Sequence, residues 1–171
     1  MTASSSRPLP SLPPLSIDAA LPALAQALAT DTACLVHAPP GSGKTTRIPL
    51  ALMDTPWLAG RKILMLEPRR LAARAAARYM AGLVGEKVGE RIGYRTRLDL
   101  RISRQTRLEV VTEGILTRML QHDPEITGYG CVIFDEFHER SLQADLGLAL
   151  CLEVRSALRP DLRLAVMSAT L

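Results

Sequence analysis

The 171-residue chain has few cysteines and no long apolar run. Its three cysteines, Cys34, Cys131 and Cys151, are odd in number, far apart and without a Cys-x-x-Cys pair. That argues against a disulfide framework or a thiolate metal site, and each thiol sits in an apolar context suited to a reduced core residue. No stretch approaches the ~18 apolar residues needed for a membrane-spanning helix. The N-terminus lacks the continuous apolar segment and cleavage site of a secretory signal. No internal repeat is present. A cytoplasmic globular protein with no membrane role is the expectation. With 47% hydrophobic and 22% charged residues, the length suits one packed domain and is short for two.

Charge is more informative by position than in total. The net charge of +4 permits a polyanionic partner without requiring one. Between Glu90 and Arg107, however, six arginines (91, 95, 97, 101, 104 and 107) face only two acids, Glu90 and Asp99. A solvated loop or hairpin explains this segment as well as a grip on a nucleic-acid strand does.

Residues 1–15, rich in Ser and Pro, read as a flexible arm. A helix follows, with Ser16 as its candidate cap, Leu21, Leu24 and Leu28 at helical spacing, and Pro22 early enough to be tolerated. Apolar runs at 34–37, 63–66, 108–111, 131–134 and 162–167 then alternate with helical patterns at 44–53, 70–84, 114–121 and 141–157. Nearly continuous apolar strands suit a mostly parallel sheet covered on both faces, and strand–helix alternation reads as a doubly wound α/β fold. Chemistry in such folds gathers at the carboxyl ends of the strands.

Two strand ends carry reactive residue types. "APPGSGKTT" (38–46) follows the first run and contains Gly43-Lys44-Thr45, the end of the phosphate-loop pattern, with Ala38 where its first glycine would stand. Gly41 and Gly43 let backbone N–H groups turn towards phosphate oxygens at a helix N-terminus. Pro39, Pro40, Ser42 and Thr46 complete the loop. Lys44 brings positive charge to the β and γ phosphates, and the Thr45 hydroxyl can coordinate Mg²⁺. The run at 131–134 ends in Asp135 and Glu136. Adjacent carboxylates repel unless a cation or a reacting water separates their tasks. With a phosphate loop upstream, Asp135 reads as a Mg²⁺ ligand and Glu136 as the group that orients or deprotonates the attacking water. A strand running into an acidic helix start is the plainer reading of the pair taken alone.

Five segments in order, "APPGSGKTT" (38–46), "LEPRRLAAR" (66–74), "TEGIL" (112–116), "DEFHERSLQADL" (135–146) and "MSATL" (167–171), resemble motifs I, Ia, Ib, II and III of superfamily 2 helicases of the DEAH/RHA group. DEFH in place of DEAH resembles the HrpB-type subgroup. The resemblance covers nearly everything after the arm and implies that residues 16–171 form a RecA-like P-loop NTPase domain, the ATP-binding half of a helicase. It implies Mg²⁺-dependent hydrolysis of ATP, and of other NTPs as well, since no glutamine-based adenine motif precedes motif I. Single-stranded RNA or DNA and a second RecA-like domain of the same chain are the implied partners. Because that second domain supplies the arginine fingers, this chain alone is expected to be a fragment that binds nucleotide weakly and hydrolyses it poorly.

Residue by residue, the resemblance gives nucleic-acid contacts to Pro68, Arg69 and Arg70 and to Thr112, Glu113 and Gly114. It gives coupling between hydrolysis and domain movement to His138, Ser168 and Thr170, and a stacking contact on adenine to Arg78, with Tyr79 as the alternative. Phe137 reads as packing. From the residues themselves, Arg70, Arg74 and Arg78 lie four apart and share one helix face, a mildly unfavourable arrangement unless an anion is near. Arg74 reads as solvated, and Arg69 and Arg70 as phosphate contacts. A catalytically silent RecA-like module that binds nucleic acid or protein is the alternative, opposed by intact Lys44, Thr45, Asp135 and Glu136. A small-molecule kinase would leave motifs Ia, Ib and III unexplained.

Overall fold

The computed structural model describes residues 10–170, so the first nine residues of the expected arm and Leu171 lie outside it. Seven strands form one sheet: β1 (Ala33–His37), β2 (Lys62–Glu67), β3 (Ile92–Arg95), β4 (Leu100–Arg101), β5 (Leu108–Thr112), β6 (Tyr129–Phe134) and β7 (Arg163–Ser168). Their spatial order is β1-β7-β6-β2-β5-β3-β4. Every neighbouring pair is parallel except β3 with β4.

The apolar runs form strands because both sheet faces are covered. Helices α1 (Leu21–Thr30), α2 (Lys44–Leu52) and α3 (Arg70–Leu83) pack on one face and α4 (Glu113–His122) and α5 (Leu142–Ala157) on the other. Along β2 the side chains divide by parity: Ile63 and Met65 enter the first core, Leu64 and Leu66 the second. All four are at most 1% exposed. Burial pushes the Cys34 thiol up to about 11 and that of Cys151 up to about 12, as suits thiols held in apolar surroundings. Among the described residues no helix is long and apolar enough to cross a membrane.

The five strands and five helices read from sequence are present, each within two residues of its expected ends except the first helix, which starts at Leu21. Two details differ. Ser16 does not cap the first helix; a 3-10 turn (Asp18–Ala20) precedes α1, and the Ser16 hydroxyl points at the Ser42 carbonyl at 3.5 Å. The basic segment is not a loop throughout. Its 92–95 stretch joins the sheet against β5 as β3 and turns back through β4, the hairpin form of the reading. The arginines on either side hid β3, a short strand whose Ile92 and Tyr94 are fully buried.

Candidate nucleotide site and nucleic-acid face

Strand order brings the two reactive loops together. β7 alone separates β1 from β6, so the loop 38–43 and residues 135–136 lie two strands apart at the same, carboxyl, edge of the sheet. The loop turns through two left-handed residues, Gly41 at φ 77° and Gly43 at φ 96°. Gly43 is the N-cap of α2, whose first residue is Lys44. Lys44 is only 4% exposed. Its Nζ lies 3.9 Å from Glu136 Oε1, which offsets the cost of burying its charge. Thr45 Oγ1 donates to Asp135 Oδ2 at 2.6 Å, and the other Asp135 oxygen accepts from the Glu136 amide at 2.8 Å. Ala38 and Ser42 are buried, Pro39, Pro40 and Gly41 exposed, and the Thr46 hydroxyl returns to the Gly43 carbonyl at 3.4 Å. The segment before α1 reaches this loop and the start of α2: Ile17 N–H donates to the Ser42 carbonyl, and Arg47 donates to the Pro13 carbonyl.

A third carboxylate belongs to the cluster and was not singled out from sequence. Glu67, the last residue of β2, is 3% exposed and hydrogen-bonds with Asp135. Burial, and then its pairing with Asp135, push the Glu67 carboxyl up to about 9. The available signal was an acid ending an apolar run, the pattern that drew attention to Asp135.

Motif II continues into a 3-10 turn, Phe137–Glu139, flanked by left-handed Glu136 and Arg140. Phe137 packs edge-on against Phe134 with ring centroids 6.3 Å apart. His138 Nδ1 accepts from the Ala169 amide at 3.1 Å, which leaves the ring proton on Nε2, 3.2 Å from Glu136 Oε2. His138 thus touches both motif II and the segment 168–170. There the Ser168 hydroxyl donates to the Thr170 carbonyl, and the Thr170 amide donates back at 3.3 Å.

Pro68, Arg69 and Arg70 stand where β2 enters α3, with both arginines exposed. Thr112, Glu113 and Gly114 stand where the neighbouring strand β5 enters α4, so the two segments share the carboxyl edge. Arg74 is engaged, not merely solvated: it lies 3.6 Å from Asp99 and over the Tyr94 ring at 5.8 Å. Arg78 and Tyr79 are exposed in the third turn of α3, and among the described residues Arg78 makes no hydrogen bond or ion pair. In the basic segment, Arg95 Nε lies 2.8 Å from the fully buried Glu109, and Arg91 donates to Glu86 at 2.6 Å. Arg97, Arg101 and Arg104 point outward.

A sequence profile of the DEAD/DEAH box helicases matches residues 19–171. The chain belongs to that family. Among curated relatives of this helicase domain, the ATP-dependent RNA helicase HrpB of Escherichia coli is 56% identical over 157 residues, which is 92% of this chain and 19% of the relative. The ATP-dependent RNA helicase HrpA homolog of Haemophilus influenzae is 36% identical over 131 residues, 77% of this chain and 10% of the relative. Among solved structures, the E. coli DEAH/RHA helicase HrpB superposes with a TM-score of 0.89 at 55% identity, over 92% of this chain and 20% of that one. The fold is therefore the RecA-like helicase fold. The chain spans about a fifth of the length of the HrpB proteins it matches.

Proposed function

We propose that this domain binds and hydrolyses ATP, and other NTPs, as the N-terminal motor half of a longer cytoplasmic helicase acting on single-stranded RNA. The observation that carries this reading is the convergence of Lys44, Thr45, Asp135 and Glu136 at one strand edge, knit by the 2.6 Å and 3.9 Å contacts. The loop 38–46 cradles the phosphates with its amides. Lys44 exchanges Glu136 for the β and γ phosphates, which frees Glu136 to orient and deprotonate the attacking water. Hard oxygen donors at Thr45 and Asp135 fit Mg²⁺, which takes few protein ligands beside substrate phosphates and water. When bound, Mg²⁺ supplies positive charge that offsets the charge on the transferring phosphoryl group.

Arg69 and Arg70 hold backbone phosphates, with Pro68, Thr112, Glu113 and Gly114 shaping the same track. His138, Ser168 and Thr170 carry the state of the triphosphate site towards a second RecA-like domain. Arg78 stacks on adenine. RNA is preferred to DNA because the relatives are named RNA helicases. A silent binding module is not favoured, since Lys44, Thr45, Asp135 and Glu136 are all intact and in contact, leaving only the arginine fingers to a second domain. Binding of a fluorescent NTP analogue to this chain tests the first step. Lys44→Ala should abolish binding; unchanged affinity would refute the assignment.

A further inference from the structure

The loop that carries Glu136 is tied by side chains to both segments assigned to nucleic acid. Arg69 Nη2 lies 3.0 Å from Glu139 Oε1, and the Arg69 side chain is 68% exposed, open to an incoming phosphate. Ser141 Oγ donates to Glu113 Oε2 at 2.5 Å while accepting the Ala144 amide at 3.0 Å as the cap of α5. Around these ties, at Glu136 and Arg140, the chain is bent out of its preferred conformations. Glu136 has φ 52° and Arg140 φ 47°, values that non-glycine residues hold only when their surroundings impose them. Glu139 also stands close to the reacting group: one ligand atom each of Glu136, His138 and Glu139 lies within 4.8 Å of the others. Arg69 therefore neutralises a carboxylate that would otherwise repel Glu136.

We propose that Glu139 is a positioning residue that reports nucleic-acid occupancy to Glu136. The proposal rests on the helicase reading above. Without RNA, Arg69 holds Glu139, and the 136–140 turn stays in its bent, resting form even after nucleotide has drawn Lys44 away from Glu136. An RNA phosphate competes with Glu139 for the Arg69 guanidinium. Once displaced, Glu139 loses its counter-charge and moves away from Glu136. The turn then relaxes, and Glu136 becomes available to water. Ser141 and Glu113 fix the far end of the turn, so the change falls on residues 136–140. Binding and release are linked: whatever the Arg69–Glu139 pair contributes to the resting form must be overcome by RNA.

The test is steady-state NTP hydrolysis by the full-length protein across a range of single-stranded RNA concentrations. For Glu139→Gln the RNA-free rate should rise about two- to fivefold, the span expected from an exposed ion pair. Its half-saturating RNA concentration should fall by a similar factor, and its RNA-saturated rate should stay at the wild-type value. Arg69→Gln should raise the RNA-free rate in the same way but raise the half-saturating RNA concentration, because it also removes the phosphate contact. A purely structural role would not give that split. If wild type is stimulated by RNA while Glu139→Gln keeps both the wild-type RNA-free rate and half-saturation, the proposal falls and the helicase reading stands. If RNA does not stimulate wild type, both fall.

Discussion

Gly43→Ala probes how the phosphate loop is held. Gly43 sits at φ 96°, ψ 4°, where an alanine costs roughly 1–2 kcal/mol in backbone strain. A Cβ there would stand 2.6 Å from Leu15 Cδ1, and 3.2 Å from Arg47 Cγ and Ile17 Cγ2. Leu15 is a flexible side chain and must move, as in other overpacked sites that cost about 1–3 kcal/mol. Gly41 supplies the internal control: its φ is 77°, and a Cβ there meets nothing within 4 Å. Gly41→Ala should therefore cost only the backbone part, about 1–2 kcal/mol. Gly43→Ala should cost about 2–5 kcal/mol once the contact is included. For a chain of this length each kcal/mol lowers Tm by roughly 2–4 °C, so differential scanning calorimetry separates the two variants. Adding Leu15→Ala to Gly43→Ala should recover the contact part. Equal losses at the two glycines, or no recovery, would refute the claim that residues before 16 pack on the loop.

The basic segment divides into structural and free arginines, and the two should behave differently. Arg95→Ala leaves the buried Glu109 with the Tyr129 hydroxyl but no counter-charge and should destabilise the domain by about 1–3 kcal/mol in urea denaturation; a loss below about 0.5 kcal/mol would contradict the pairing. Arg97→Gln should leave stability unchanged and, in the full-length protein, reduce the slope of log affinity for RNA against log salt by about one unit. An unchanged slope removes Arg97 from the track. Asp161 is held well below the usual carboxylate range, chiefly by hydrogen bonds from Arg159 and also by Arg61. A lowered folded value means stability that is present above the ordinary pKa and lost as pH falls below it. Screening at this half-exposed site keeps the effect to about 1 kcal/mol. Asp161→Asn should flatten the decline in Tm below about pH 4; an equally steep decline would assign it to other carboxylates.

The parts legible in sequence are those fixed by local pattern. Continuous apolar runs marked β1, β2, β5, β6 and β7, and the helical spacing between them marked α2 to α5. The phosphate loop was legible because its glycines and Lys44 have no economical structural substitute. What sequence did not disclose depends on pairing across the fold. β3 is a strand because β5 offers it an edge, a fact absent from its own four residues and the arginines that flank them. Arg95 belongs to the basic segment open to a nucleic-acid grip, but Glu109, 14 residues on, occupies it. Glu67 joins the acidic cluster only because β2 lies beside β6. The ties from Arg69 to Glu139 and from Glu113 to Ser141 cross 70 and 28 residues of chain.

The central claim is that Glu136 activates water in an RNA-stimulated NTPase. NTP hydrolysis by the full-length protein, with and without single-stranded RNA, measured for wild type and for Glu136→Gln, tests it most directly. The account predicts that RNA accelerates the wild type, and that the variant still binds nucleotide but loses turnover by about 10²–10⁴-fold, as expected on removing a general base. Full turnover in Glu136→Gln, or a wild type indifferent to RNA, would contradict it.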